Sequence, residues 1–190
     1  MPILGCSLEL LDLLCEVIDI VFDCHDPHYH GQEHLRAIVS LDRRLQNLEQ
    51  KQSPVTDEVD ELIHCLNIAE LYRLAVLIYL YRAAKGESRG SATASRIISI
   101  AYGILERIGY CERPWPLFII ALEARSEDQR ATVLDVLEQT LKRQPLGAME
   151  VANRMIRDAW VQQDLFEAEI DPLALYGQVI CRNRVPPSFA

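Results

Sequence analysis

Four of the five histidines in this 190-residue chain lie within eleven residues, from Cys24 to His34. Inside this cluster, His30, Glu33 and His34 have the H-x-x-E-H spacing of the inverted zinc-protease motif. Two histidines four residues apart on a helix can reach one metal ion, and the glutamate can act as the base. The cluster therefore defines one hypothesis, a zinc-dependent hydrolase with His30 and His34 as metal ligands.

The same segment also has a simpler interpretation. Gly31 stands inside the motif, at a predicted loop-to-helix junction, so the first turn need not be helical. No downstream carboxylate completes a ligand set. A solvated polar loop is therefore the favoured interpretation, and adventitious metal capture is expected rather than catalysis. The glycine-containing segment Gly86–Gly90 lacks the spacing and lysine of a phosphate loop. The favoured interpretation is a chain with no metal, no cofactor and no enzymatic activity.

Charge and cysteine usage limit the partners and the compartment. The formal net charge is -9 and the isoelectric point is about 5.0, with basic residues scattered among more numerous acids. Because DNA binding needs a basic surface to neutralise phosphates, the chain alone is expected not to bind nucleic acid. Its six cysteines form no C-x-x-C pair, and with no secretory signal a reducing intracellular compartment is expected.

The elements that must position any site are organised around one apolar stretch. From Leu71 to Tyr81 every residue except Arg73 is apolar or aromatic, which no single helical stripe can hold. The stretch is shorter than the roughly 20 residues that cross a bilayer, so no membrane contact is expected. A buried strand is the alternative, but the pattern continues without a breaker back to about Glu58. We therefore predict a central helix over residues 57–85 in a soluble core.

The remaining pattern is helical throughout. Helices are predicted over residues 8–22, 32–50, 92–108, 117–124, 126–144, 149–163 and 171–181. Ser126 with Gln129 three residues later has the spacing of a capping box. On the second helix, either Leu41 or Asp42 fills the inner position between Ile38 and Leu45. The fold class is all-α, an irregular domain of about six to eight helices around a buried central helix, in two parts: residues 1–164 and a segment over 165–190.

Four motifs follow one another in a recognisable order: AELYRLAVLIYLYRAA, PWPLFIIALEA, SEDQRATVLDVLEQTL and MIRDAWVQQDL. Over residues 5–164 they resemble the C-terminal half of the fungal-specific regulatory domain of binuclear zinc-cluster transcription factors. The resemblance implies an all-helical regulatory module in the nucleus, downstream of a zinc cluster whose cysteine spacing is absent here. Its implied partners are the transcription machinery or a second copy. Where the family usually has glycine, this chain has Ala121, so a looser helix contact is expected there.

Arg73 needs a partner because it lies in the most apolar stretch and cannot lose its charge. Glu70, one turn earlier, is a candidate partner, together with acids on neighbouring helices. The pair is interpreted as a structural contact that fixes helix register, with anion binding as the alternative. The resembled family shares the Tyr72–Arg73 pair, which favours the structural interpretation.

Five large aromatic residues are placed inside by the pattern: Tyr72, Tyr79, Trp115, Phe118 and Trp160. As core residues they need no further role. The resemblance adds a second hypothesis, since some members of that family are thought to sense effectors through this domain. Helices that pack around bulky aromatics can leave cavities, so these residues are also candidates for a pocket that binds a small hydrophobic effector.

The last signal is the run from Asp164 to Tyr176, where acids alternate with bulky apolar residues. This composition is typical of transcriptional activation segments. The candidate residues are Leu165, Phe166, Ile170 and Leu173. The alternative is an ordinary amphipathic helix docked on the core, with Asp171 as its cap.

Overall fold

The computed structural model describes residues 7–21, 31–49, 59–144 and 147–165. Within those ranges the secondary structure is entirely helical, which confirms the all-α prediction. The elements are α1 (Leu8–Asp19), α2 (Gln32–Gln46), α3 (Val59–Tyr79), a π-helical turn (Leu80–Ala84), α4 (Ala92–Ile108), α5 (Pro114–Ala121), α6 (Glu127–Arg143) and α7 (Gly147–Leu165).

Local capping chemistry sets several helix ends where the sequence placed them. The Ser7 hydroxyl accepts a hydrogen bond from the Leu10 N–H at 3.2 Å and begins α1. The Ser126 hydroxyl accepts from the Gln129 N–H at 3.2 Å, while the Gln129 side chain accepts from the Arg125 N–H at 2.8 Å. This is the predicted capping box, except that the Gln129 side chain bonds to the N–H of Arg125 rather than to that of the N-cap residue Ser126. Helix α4 ends at Ile108 and is capped by Gly109, whose φ of 67° lies in the left-handed region that glycine adopts readily.

Other boundaries differ from the prediction. Helix α1 ends at Asp19 rather than residue 22, and α2 ends at Gln46 rather than residue 50. Helix α5 begins three residues early, because Pro114 and Pro116 occupy its first turn, where a missing N–H is not needed. The helix predicted over 171–181 lies outside the described residues.

The chain divides into two compact units, Met1–Ser88 and Arg89–Ala190. In the first unit, α1, α2 and α3 pack against one another. The inner faces of α1 and α2 have three-four spacing, with Leu10, Leu13, Val17, Ile38, Leu41 and Leu45 buried, whereas Ile18 and Leu35, which the sequence pattern also placed inside, are 51% and 47% exposed. The second part of α3 is buried on nearly all sides, as its composition requires.

In the second unit, α5 packs against α4, α6 and α7. Every residue of α5 except Trp115 is buried. The predicted domain boundary after residue 164 falls at the edge of the described residues and stays a prediction.

One described stretch, Val59–Ala84, is long and apolar enough to cross a membrane by length and composition alone. Its most apolar window has a mean hydropathy of 1.4, and half of that window is buried inside the fold. Core helices of globular domains have the same composition, so this stretch is weak evidence for a membrane span.

Candidate functional site

The C-terminal end of α5 is held by side-chain donors from distant parts of the second unit. The Tyr102 hydroxyl donates to the Ile120 carbonyl at 3.2 Å, and the Trp160 indole N–H donates to the Ala121 carbonyl at 2.8 Å. The Leu122 carbonyl accepts from the Gln163 amide at 2.9 Å and from the Arg89 guanidinium at 3.4 Å. The Ile120 and Ala121 carbonyls also accept backbone bonds from the Glu123 and Ala124 N–H groups, each at 3.1 Å, so the side-chain donors add to these bonds, whereas the Leu122 carbonyl is satisfied by its side-chain donors.

Trp160 is itself held by a charged neighbour. The Arg130 guanidinium lies 5.4 Å from the centre of the Trp160 ring and forms two hydrogen bonds with the Asp164 carboxylate, at 2.6 and 2.9 Å. The carboxylate stabilises the charged guanidinium and raises the pKa of Arg130. Burial raises the pKa of the Tyr102 hydroxyl, and the nearby Glu123 charge raises it further. These groups form a fixed structural cluster, which keeps the end of α5 in place.

The five aromatic residues predicted as core or effector pocket are distributed over both units. Tyr72 and Tyr79 are on α3, whereas Trp115 and Phe118 are on α5 and Trp160 is on α7. Tyr72, Phe118 and Trp160 are buried, while Tyr79 and Trp115 are partly exposed. Ala121, where a looser helix contact was expected, is fully buried and its carbonyl accepts the Trp160 bond. The effector pocket stays a prediction.

Arg73 has the partner that the sequence suggested. Its guanidinium forms two hydrogen bonds with the Glu70 carboxylate, at 2.8 and 2.5 Å, and a third with the Leu45 carbonyl at 3.0 Å. The last bond joins α3 to the C-terminal part of α2, where a cation also complements the helix dipole. This geometry is that of a structural pair that positions two helices.

Sequence reasoning missed a polar network around Asp42. The Asp42 carboxylate accepts hydrogen bonds from the Tyr81 hydroxyl at 2.7 Å, the Gln46 amide at 2.8 Å and the Lys85 ammonium at 2.7 Å. Burial alone would raise the pKa of Asp42, but these donors outweigh it and hold the pKa below 3.8. The feature of the sequence that could have indicated this network is Asp42 itself, an acidic residue at a possible inner position of the α2 pattern.

The network depends on the π-helical turn that ends α3. In this wider turn the Lys85 N–H bonds to the Leu80 carbonyl at 3.0 Å, and the Lys85 ammonium lies 4.0 Å from the centre of the Tyr81 ring. Burial, followed by the hydrogen bond to Asp42, raises the pKa of Tyr81 to about 12. Arg82 is only 1% exposed and donates to the carbonyls of Glu87 and Ser88. The sequence predicted an uninterrupted α-helix here, and that detail was wrong.

The first part of α3 carries apolar side chains on the surface. Val59, Ile63 and Leu66 are 69%, 51% and 44% exposed, and their spacing places them on one side of the helix. No residue from Val59 to Asn67 is fully buried. We call Val59, Ile63 and Leu66 the α3 stripe. Exposed apolar groups aligned on one face are typical of contact surfaces.

Two concave surfaces lie in the second unit. A groove of about 550 Å³ runs between α6 and α7 over Leu134, Leu137 and Leu141. A second depression of about 570 Å³ lies between α4 and the start of α6, with Tyr102, Gly103, Glu123, Ser126 and Gln129 among its lining residues. None of the five predicted aromatic pocket residues lines either surface.

The hydrolase hypothesis gains no support. His30 lies outside the described residues, and His34 is buried in the first turn of α2 rather than presented to solvent. Throughout the part of the chain that the structure describes, no three His, Cys, Asp or Glu side chains are placed to hold a metal ion.

A second enzyme-like pattern was missed in the sequence. Residues Gly86 to Gly90 match the G-x-S-x-G spacing of a hydrolase nucleophile elbow. That elbow requires a strand before the serine, whereas the π-helical turn precedes it here, and the Ser88 carbonyl accepts a bond from Arg82. The match is therefore one of spacing alone.

Cys15 and Cys65 lie within apolar helical patterns, which predicts buried side chains, but neither is buried. Cys15 is exposed and Cys65 is partly exposed, because the inner faces of α1 and α3 lie elsewhere. Cys111 is fully buried, and its N–H donates to the Thr140 hydroxyl at 2.9 Å. Burial raises the pKa of the Cys111 thiol to about 12, so it stays protonated and serves packing.

Of the predicted activation residues, only Leu165 lies within the described ranges. It is the last residue of α7 and is exposed, while Phe166, Ile170 and Leu173 lie outside those ranges. The activation segment stays a prediction.

Comparison with known proteins gives a family and one relative. The sequence model of the "Fungal specific transcription factor domain" matches residues 1–181. The chain is 32% identical over 123 residues to the transcription factor iacI of Pestalotiopsis fici, a match that covers 64% of this chain and 32% of that relative. The chain therefore spans about a third of the length of the curated relative that it matches. No solved structure is similar enough to count as a match.

Proposed function

Because this chain belongs to the fungal specific transcription factor domain family, we propose that it is a regulatory domain that works by contacting other proteins. Membership supports a role in transcriptional regulation and implies a nuclear location. The family is one of transcription factors, which favours a non-enzymatic role. What the relative regulates is not carried over, since the match covers a third of its length.

The observation that carries the proposal is the α3 stripe. Val59, Ile63 and Leu66 place apolar area in water, on a helix whose second part is buried. Each exposed aliphatic side chain gives up about 1–2 kcal/mol of burial free energy that a partner could recover. The net charge of -9 argues in addition against the DNA backbone as that partner.

A reporter assay tests the proposal. The chain is tethered to a foreign DNA-binding domain, and transcription is compared with that from the DNA-binding domain alone. We expect Ile63→Glu with Leu66→Glu to remove the change in output, because a loss of about 1.4 kcal/mol of contact free energy weakens partner binding about tenfold. Charges at the stripe would have to be desolvated on contact, whereas the folded domain tolerates them because both sites are exposed.

The matched control is Ile100→Glu, on the exposed side of α4. Ile100 is 47% exposed, similar to Leu66 at 44%, so its effect is compared with that of Leu66→Glu alone, which introduces the same single charge at similar exposure. Equal loss of output in the control, or an intact chain that leaves the reporter unchanged, would contradict the proposal.

The acidic segment after α7 contributes a separate prediction within the same assay. If it acts as an activation segment, Phe166→Ala with Leu173→Ala lowers output more than Glu167→Gln with Asp171→Asn does. Apolar burial supplies most of the affinity in such contacts, whereas charge mainly speeds encounter. Unchanged output in both pairs would leave this segment without an activating role.

Response to a small hydrophobic effector is a second candidate function. The α4 depression is the place to test it, since about 570 Å³ is within the usual range of small-molecule sites, and Ile98 and Tyr102 are the large apolar residues in an otherwise mostly polar lining. A Cβ added at Gly103 meets nothing within 4 Å, so a larger side chain introduced there enters open space at the depression. Anilinonaphthalene sulfonate serves as the probe. Saturable binding that Gly103→Leu removes and Gly103→Ala retains supports the hypothesis, and equal binding by both variants opposes it.

A further inference from the structure

The groove between α6 and α7 has an apolar floor with the repeat of a helix-binding surface. Leu134, Leu137 and Leu141 form the floor and follow the spacing i, i+3 and i+7 on α6. Leu134 and Leu141 are partly exposed, so a partner could cover apolar area there. Seven residues of helix rise about 10 Å, which is two turns. An amphipathic helix that presents three apolar side chains over two turns matches this length.

The charged residues at the rim of the groove favour a helix with acidic residues. The Lys142 ammonium is paired with the Glu138 carboxylate at 2.6 Å, so their charges offset each other. On the α7 side, the Arg157 Nε–H donates to the Asn153 side-chain oxygen at 3.0 Å, a neutral group. The formal charge of the lining is therefore positive, from two cations and one acid, in a chain whose net charge is -9.

We propose that this groove binds an amphipathic helix of a partner protein, with an acidic residue placed against Arg157. Asn153 holds the Arg157 side chain at its Nε, and Arg157 is exposed, so its two terminal amino groups can take part in a bidentate contact with a carboxylate. A second copy of this chain is a poorer occupant, because two chains that each carry -9 repel one another. The surface is separate from the α3 stripe, so either can fail without the other.

Two fluorescent helical peptides test the proposal against the full-length chain. Both carry leucine at positions 1, 4 and 8, and their polar faces carry glutamate in one and lysine in the other. Fluorescence anisotropy should show saturable binding of the acidic peptide, about tenfold tighter than that of the lysine peptide. Because the Arg157 contact is a charge contact, the loss of affinity caused by Arg157→Gln should be larger at about 50 mM salt than at about 500 mM. Equal binding of the two peptides, or a loss for Arg157→Gln that does not depend on salt, overturns the proposal.

Substitutions locate the contact. Arg157→Glu should weaken acidic-peptide binding about tenfold or more, and Arg157→Gln should weaken it less. Arg157 is exposed, so the fold should persist, and the melting temperature checks that it does. Arg107→Glu, at an exposed position of α4 in the same unit, makes the same charge change away from the groove and should leave the affinity within about twofold. Equal losses at both positions overturn the proposal.

Two further measurements exclude the other occupants. If Phe166→Ala with Leu173→Ala in the full chain tightens peptide binding about tenfold, the chain's own segment occupies the groove, and the partner assignment is wrong. If light scattering shows a dimer that Arg157→Glu dissociates, the occupant is a second copy, and the assignment is again wrong. A partner protein is supported if Phe166→Ala with Leu173→Ala leaves the peptide affinity unchanged and if Arg157→Glu leaves the molecular mass in solution unchanged.

Discussion

The two parts of α3 differ in composition and in burial. From Val59 to Asn67 no side chain is fully buried, whereas from Ile68 onward, through the π-helical turn, only Glu70, Arg73 and Tyr79 are not. The second part packs under α1 and α2 and is tied to α2 by the Arg73 and Asp42 contacts. The more apolar part is thus the part on which other helices pack and which polar contacts hold, and the less apolar part carries the proposed contact surface.

The largest effect should follow from truncating the buried part. Leu74→Ala or Ile78→Ala should lower the free energy of unfolding by about 2–5 kcal/mol, because each leaves a cavity in a packed core. Both residues are at most 2% exposed. Ile63→Ala and Leu66→Ala, on the exposed part of the same helix, should cost about 0.5 kcal/mol or less. Urea unfolding gives all four values. Equal losses of stability in the two pairs would show that the two parts of α3 do not differ in their contribution to the core.

Helix α5 extends the comparison to a second helix that is almost wholly buried. Trp160→Phe removes the side-chain donor to the Ala121 carbonyl, which keeps its bond from the Ala124 N–H at 3.1 Å. We expect a loss of about 1–3 kcal/mol in the free energy of unfolding, from the lost bond and from the smaller ring at a buried site. Gln163→Ala is the control and should cost less, since Gln163 is partly exposed and the Leu122 carbonyl keeps the Arg89 donor. A smaller loss for Trp160→Phe than for the control would mean that apolar packing alone holds α5.

The Asp42 network tests whether polar anchors stabilise the buried part of α3. Because the pKa of Asp42 is lower in the folded protein than the ordinary 3.8, its charge adds stability above that pH, and the contribution is lost as pH falls through the folded pKa. Asp42→Asn should therefore be about 1–3 kcal/mol less stable than the parent chain at pH 6. The difference in the free energy of unfolding between the two proteins should disappear as pH falls below about 3.8. A difference that does not depend on pH would show that the carboxylate charge is not what stabilises the parent chain.

The smallest effect should come from removing an ion pair that is exposed to solvent. Arg44 and Glu16 join α2 to α1 through two hydrogen bonds, at 2.5 and 2.9 Å, but both side chains are nearly half exposed. Water and salt screen such a pair, so Glu16→Gln should leave the urea midpoint almost unchanged. A shift as large as that of Asp42→Asn would mean that burial does not set the strength of these anchors.

Local chemistry made a good part of this protein readable from its sequence. The helical periodicity gave the all-α fold, and the residues 92–108 assigned to α4 match the structure at both ends. The Ser126 capping box and the Arg73–Glu70 pair were predicted, because their groups are only three residues apart. Such contacts depend on helix geometry alone, which the sequence determines directly.

Tertiary structure decided the features that join distant residues. Asp42 meets Tyr81 and Lys85 across 39 and 43 positions, and Trp160 meets the Ala121 carbonyl across 39. No periodicity encodes which polar groups will meet, because that depends on how helices pack. The same reason explains why the exposed α3 stripe and the α6–α7 groove were not predicted: an apolar residue is left at the surface only when no other element covers it.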